Sequence, residues 1–190
     1  MKNTKILMLI AACFVWMASI IHPLQGQTSY TLSPSSELKI VGKSNIRTWT
    51  LTSTAASGKG QFMIEGTELK EIKSLWVEME SESLKSGNKA LDKHAYEALK
   101  TEEYKHINFS LKEIKGSGFL LEARGDLSIA GITKEVNFPV KVSQEENRIN
   151  FKGELPIKFS DFNINTPTNL MGLIKTLDDA KIYFNTDFTK

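Results

Sequence analysis

The chain has 190 residues, 24 Lys+Arg against 22 Asp+Glu, three His and a single Cys. A formal charge of +2 gives no electrostatic case for a nucleic-acid partner, and one cysteine gives no disulfide framework. The length fits one domain with one sizeable core, and no linker or low-complexity block divides it.

Residues 1–26 read as a cleaved secretory signal peptide. Met1 to Lys5 is a basic head, Ile6 to Ile21 an apolar run, and His22 to Gly26 a break with a small residue at its end. The run is shorter than a membrane-spanning helix needs. Cys13 follows Ile10-Ala11-Ala12 in the form of a lipid-attachment site, but cleavage there would leave Phe14 to Ile21 as an apolar terminus. Cleavage after Gly26 is therefore the expected event, and a periplasmic location the expectation. Losing Lys2 and Lys5 leaves residues 27–190 neutral and without a thiol.

Nearly all the rest alternates with period two, the pattern of half-buried strands. Tyr30 to Ser44 opens as a strand, and Trp49 and Leu51 follow among threonines. Ser53 to Gly60 reads as a small-residue turn. Phe62 and Ile64 form the next strand, ended by Gly66. In Ile72 to Ser83, Leu75, Val77 and Met79 face one way and Trp76 the other.

Ser86 to Tyr104 changes period. Leu91, Ala95 and Leu99 make one apolar stripe on a helix, with Ser86 or Asn88 as cap. Strands then resume. Ile107, Phe109 and Leu111 share a face, and Gly116 to Gly118 is a turn. Phe119, Leu121, Ala123, Gly125, Leu127 and Ile129 keep one parity. A tight connection at Ala130-Gly131 leads to Val136, Phe138, Val140 and Val142. After a charged turn at 144–148, Ile149, Phe151, Gly153, Leu155, Ile157 and Phe159 repeat the pattern. Asp161 to Thr168 is a bend, Leu170 to Ile174 an apolar loop, and Ile182, Phe184 and Phe188 the last strand.

About eight long, one-faced antiparallel strands and one short helix predict an all-β extended barrel of lipocalin-like form. A two-sheet sandwich with a filled core is the alternative architecture, and would suit a protein-interaction module. The outward faces carry Lys, Glu and Asp, which excludes an outer-membrane barrel. Small residues on the inner faces (Ala123, Gly125, Gly153) suggest room in the lumen. The expected lumen set is Trp49, Phe62, Leu75, Val77 and Met79 from the first half. From the second half it takes Phe109, Leu111, Leu121, Leu127, Phe138, Val140, Phe151, Leu155 and Phe184. Leu170, Met171, Leu173 and Ile174 read as a flap at the mouth, since Met suits adaptable apolar contact.

Chemistry-bearing motifs are scarce. His94 and His106 are the only histidines after the leader. Asp92, two residues before His94, does not share its helix face. There is no phosphate loop, no nucleophile elbow and no defensible metal spacing, so the expectation is a binder without metal or cofactor rather than an enzyme.

Several motifs follow one another in a set order: Leu91-Asp-Lys-His94, Tyr104 followed by Ile107-Asn-Phe109, Gly125-Asp-Leu-Ser-Ile-Ala-Gly-Ile-Thr-Lys-Glu-Val136, and Asp161-Phe-Asn-Ile164. That order resembles the YceI-like family of exported, lipocalin-like, polyisoprenoid-binding proteins. Lys105 stands where the family usually has proline, and Arg47 where it often has histidine. The resemblance implies a barrel enclosing an isoprenoid lipid such as a quinone tail, with transient membrane contact left open and no reaction implied.

Overall fold

The computed structural model describes residues 28–65, 68–145, 147–169 and 173–190. The expected signal peptide and the flap positions Leu170 and Met171 lie outside them, as does Gly66. Eleven strands and one α-helix make up the described fold. They are β1 (Thr28–Leu32), β2 (Glu37–Ser44), β3 (Thr48–Ser53), β4 (Ala56–Glu65) and β5 (Glu68–Glu80), then α1 (Lys89–Leu99). The rest are β6 (His106–Ser117), β7 (Leu120–Ile129), β8 (Ile132–Glu145), β9 (Arg148–Lys158), β10 (Thr168–Asn169) and β11 (Ile174–Thr189).

Eight strands close a ring in the order β1, β4, β5, β6, β7, β8, β9, β11, with β11 returning to β1. β2 and β3 continue the sheet from β11. The architecture is a lipocalin-like barrel, and the ring rules out a two-sheet sandwich. Closure removes the free strand edges that an open sheet would expose. It rests on short pairings, with Thr31 opposite Thr189 and Leu32 opposite Phe188.

Several sequence expectations need correction. The opening strand is two strands, broken at Ser33 to Ser36, where Ser36 N–H donates to the Ser33 carbonyl. Residues 53–60 are not a turn. β4 begins at Ala56, and Gly58 and Gly60 are buried strand positions facing Leu32 and the Phe62 ring. Small residues hid the alternation because their inner-face members carry no apolar side chain. Phe159 to Phe162 is a short 3₁₀ turn rather than strand, ended by Asn163 in the left-handed region. Phe119 is 73 % exposed at the hairpin tip, not inward.

Among the register shifts between the strands, two bulges reset the parity of residues on the cavity wall. Gln61 pairs with Ser74 but Phe62 with Ile72, so Lys73 is an extra residue in β5. Leu111 pairs with Gly125 but Glu113 with Arg124, so Lys112 is extra in β6. An inserted residue flips the face of everything beyond it. Ile72 and Leu75 therefore both point inward, as do Leu111 and Ile114. Trp76 stays outward, 41 % exposed.

The helix forms where the apolar period lengthens. Asn88 is its cap, with its side-chain oxygen accepting from the N–H of Ala90 and Leu91. Ser86 instead binds a side chain of the helix. Its N–H and hydroxyl both donate to Asp92, at 2.7 and 2.6 Å. Asp92 is buried, not on the wet face. Those hydrogen bonds from Ser86 outweigh the opposing effect of burial and hold its carboxyl below the usual range.

Candidate functional site

The barrel encloses a cavity of about 120 Å³, lined by side chains from seven strands. β5 contributes Ile72, Leu75, Val77 and Met79, and β6 contributes Ile107, Phe109, Leu111 and Ile114. Ala123 and Leu127 come from β7, Phe138 and Val140 from β8, Phe151 and Leu155 from β9. β2 adds Leu38 and Ile40, and β11 adds Ile182, Phe184 and Thr186. Lys39 and Asn108 also border it, at strand positions between inward neighbours, where alternation turns their side chains to the outer face. The Thr186 hydroxyl is already spent, donating to the Phe151 carbonyl at 3.1 Å. The inward side chains are otherwise apolar, so the wall suits a ligand that asks for no hydrogen bond.

Eleven of the expected lumen residues line this cavity: Leu75, Val77, Met79, Phe109, Leu111, Leu127, Phe138, Val140, Phe151, Leu155 and Phe184. Three do not. Phe62 is fully buried in an aromatic cluster with Tyr30, Phe151 and Phe188, ring centroids 5.1 to 5.7 Å away, which fills another part of the barrel. Leu121 is half-buried beside the β6–β7 tip and lies off the cavity wall. Trp49 sits in a different cavity, because β3 is outside the ring and packs beside β2. Of the expected flap, Leu173 is 74 % exposed and Ile174 begins β11.

The inner-face glycines do not leave the room expected of them. A β-carbon on Gly125 would stand 2.6 Å from Cζ of Phe109, and one on Gly153 2.6 Å from Cζ of Phe184. Each ring occupies the space its neighbouring glycine vacates. Phe138 joins the two, with centroids 5.5 Å from each in edge-to-face contact.

Among the described residues, β5 and β6 pair only from Trp76 to Glu80 against His106 to Ser110. Beyond that ladder β5 pairs with β4 alone and β6 with β7 alone. Half-buried Leu75, Leu111 and Ile114 flank the unpaired stretch and line the cavity. A similar break occurs on β8, whose pairing with β9 begins at Val140, next to Pro139. Proline has no N–H for a ladder.

A second cavity of about 70 Å³ lies under α1. Trp49, Leu51, Leu91, His94, Ala95, Ala98, Leu99 and Phe159 line it, with Ile164, Thr166, Pro167 and Thr176. Ile40 belongs to the walls of both cavities. Trp49 pairs with Gly42 on β2, and its ring lies where a Gly42 side chain would be, 2.1 Å from such a β-carbon at Cζ2. It also stacks on Phe159, with centroids 6.1 Å apart and planes 17° apart. The Trp49 indole N–H is buried and has no acceptor among the described residues. His94 Nδ1 stands 3.5 Å from Glu97 Oε2. Placing His94 at this wall was within reach of the sequence, because it stands three residues after Leu91 on the apolar stripe.

His106 is exposed, 3.9 Å from Glu78 on the neighbouring strand. Among the described residues, no three His, Cys, Asp or Glu side chains gather as a metal would require. The outer face of β6 to β8 carries an ion-pair network, in which Arg124 donates to Glu113 and Glu135, and Lys112 to Asp126 and Glu135. It decorates the sheet on the side away from the cavity.

Comparisons with known proteins agree with this geometry. Protein YceI of Escherichia coli O157:H7 is 33 % identical over 98 residues, 47 % of this chain and 51 % of that protein. Protein YceI of Shigella flexneri matches to the same extent. The chain thus spans about half the length of the curated relatives it matches. Among solved structures, BcnA of Burkholderia cenocepacia superposes with a TM-score of 0.69 at 21 % identity, covering 82 % of this chain and 98 % of that one. A polyisoprenoid-binding domain from Saccharophagus degradans, implicated in plant cell wall breakdown, gives 0.66 at 13 % identity, covering 86 % and 99 %. The YceI protein of Campylobacter jejuni gives 0.61 at 22 % identity, covering 78 % and 84 %. These three share the fold. The YceI-like domain model matches residues 30–188, and the chain belongs to that family.

Proposed function

We propose that the protein is a periplasmic carrier or sequestering protein for a long apolar isoprenoid lipid, and that it performs no catalysis. The observation that carries this reading is the cavity walled by apolar side chains from seven strands inside a closed barrel. A chain of methylene and methyl groups gains about 0.8 kcal/mol per buried CH₂ before ordering costs. One structural neighbour is a polyisoprenoid-binding domain, which supports the ligand class. The run of apolar residues before His22 supports export.

The cavity volume sets a condition on the mechanism. At about 120 Å³ it is close to the size that holds a benzene-sized molecule. A longer chain enters by swinging Phe109, Phe138 and Phe184 aside, and the unpaired stretch between β5 and β6 lets that wall yield. The test is native mass spectrometry on protein purified without detergent, followed by organic extraction. A co-purifying prenyl lipid near one per chain supports the carrier. A bare mass, with no uptake of an added prenyl chain, sinks it and favours a binding role for the outer surface.

A further inference from the structure

We propose that the β2–β3 turn and the start of β11 form a docking surface for an anionic phospholipid bilayer. The proposal goes beyond the carrier reading and needs no cargo in the barrel.

Three exposed aliphatic side chains stand on these two segments. Ile46 in the turn is 61 % exposed, Leu173 just before β11 is 74 % exposed, and Leu177 is 44 % exposed. Asn45 ties the segments together. Its side chain donates to the Leu173 carbonyl at 2.8 Å and accepts from the Lys175 N–H at 3.0 Å, and its own N–H donates to the Lys175 carbonyl. The Ser44 hydroxyl closes the turn by accepting from the Arg47 N–H at 3.1 Å. The chain that carries Ile46 and Leu173 is thus held in place, so seating them in lipid costs little ordering.

Charge decides what covers the surface. Lys43, Arg47 and Lys175 are exposed beside these residues, and no side chain of the three is in an ion pair among the described residues. The sequence has no Asp or Glu from 38 to 64 or from 162 to 177. The acids that follow are engaged. Asp178 accepts from the N–H and hydroxyl of Ser160, and Asp179 stands opposite Lys158 on β9. A second copy placed face to face here would set cation against cation. An anionic bilayer instead offers head groups to the cations and acyl chains to the aliphatic residues. Alternation puts Leu173, Lys175 and Leu177 on one outer face, so both kinds of contact are made together. The β6–β7 tip also exposes apolar residues, Phe119 and Leu120, but its charges are mixed, with Glu122 beside it and Lys115 paired to Glu113.

The experiment sediments the protein with two kinds of vesicle that hold no prenyl lipid. One is phosphatidylcholine, the other equal parts phosphatidylcholine and phosphatidylglycerol. Every described element lies within residues 28–190, so residues 27–190 are used, which keeps the apolar run before His22 off the vesicles. The protein is expected on the anionic vesicles and not on the neutral ones, and it leaves them as salt is raised. A cation at such a surface is worth about fivefold in affinity. Replacing Lys43, Arg47 and Lys175 together by Ala therefore weakens binding about a hundredfold. Residues 27–190 contain no cysteine, so Ile46→Cys and Phe119→Cys each carry a single environment-sensitive dye. The dye at 46 is expected to shift to the blue on anionic vesicles, and the dye at 119 to stay unmoved. Equal binding to both vesicles, binding to neither, or undiminished binding by the triple variant overturns the proposal. A blue shift at 119 without one at 46 overturns it in favour of the β6–β7 tip. Self-association that Leu173→Ser abolishes overturns it in favour of a second copy. The dye readings decide even where the triple variant does not fold. Since the vesicles hold no cargo, a negative result leaves the carrier reading standing.

Discussion

The ring of Tyr104 lies across Gly131, so that a β-carbon on that glycine would stand 2.3 Å from Cε1. The two residues come from different segments, the entry to β6 and the β7–β8 turn. Gly131 also has φ +79 and its neighbour Ala130 φ +49, so the two-residue turn needs the left-handed region twice. Gly131→Ala therefore meets both backbone strain and a displaced ring. The expected cost is about 2–4 kcal/mol, combining about 1–2 for the left-handed alanine with the overpacking. Urea unfolding of wild type and variant measures it. A loss below about half a kcal/mol would show that Tyr104 swings away freely.

Leu75 lines the cavity where β5 has left β6, and it is half-buried. A lysine there can run its stem along the wall and reach water through the unpaired edge. Leu75→Lys is expected to fold and to bind a prenyl ligand at least tenfold more weakly than wild type. Circular dichroism checks the fold and a fluorescence titration the affinity. Unchanged affinity in folded protein would place the ligand elsewhere.

Ile114 borders the same unpaired edge from β6. After removal of residues 1–26 the chain has no cysteine, so Ile114→Cys gives one thiol. It is expected to react with a maleimide faster than a cysteine at fully buried Ile149, and to be protected by bound prenyl ligand. Mass spectrometry of timed aliquots reads both rates. Equal rates would mean that the edge is shut in solution.

Asp92 makes stability depend on pH in one direction. Its carboxyl is held below the ordinary range by Ser86, so the charged form is favoured in the folded state. Its contribution is full above the ordinary carboxylate pKa and is lost as pH falls through the lowered folded value. Asp92→Asn is expected to cost about 1 kcal/mol near neutrality and to flatten the fall in melting temperature on acidification below about pH 5. Parallel acid melts of the two proteins test this. A slope as steep in the variant would assign the acid sensitivity to other carboxylates.

Alternation located most strands of this protein and the family hairpin, because burial of one strand face writes a period of two into the residues, and a change of period located the helix. It also named eleven residues that stand on the cavity wall, such as Leu127 and Phe138. Alternation failed where the inner position carries no side chain. Gly58 and Gly60 left β4 looking like a turn, and Gly125 and Gly153 looked like open space that Phe109 and Phe184 in fact occupy. It failed again at Lys73 and Lys112, since a bulge is a matter of pairing between strands and leaves no mark in one strand's own pattern. Which inner faces meet a cavity, and which meet a packed cluster like that of Phe62, depends on ring closure and strand tilt. The same holds for Trp49 and His94, brought to one wall by β3 and α1 from segments about 45 residues apart. Sequence determined the faces, and the tertiary structure decided what each face encloses, because the space inside a barrel belongs to no single strand.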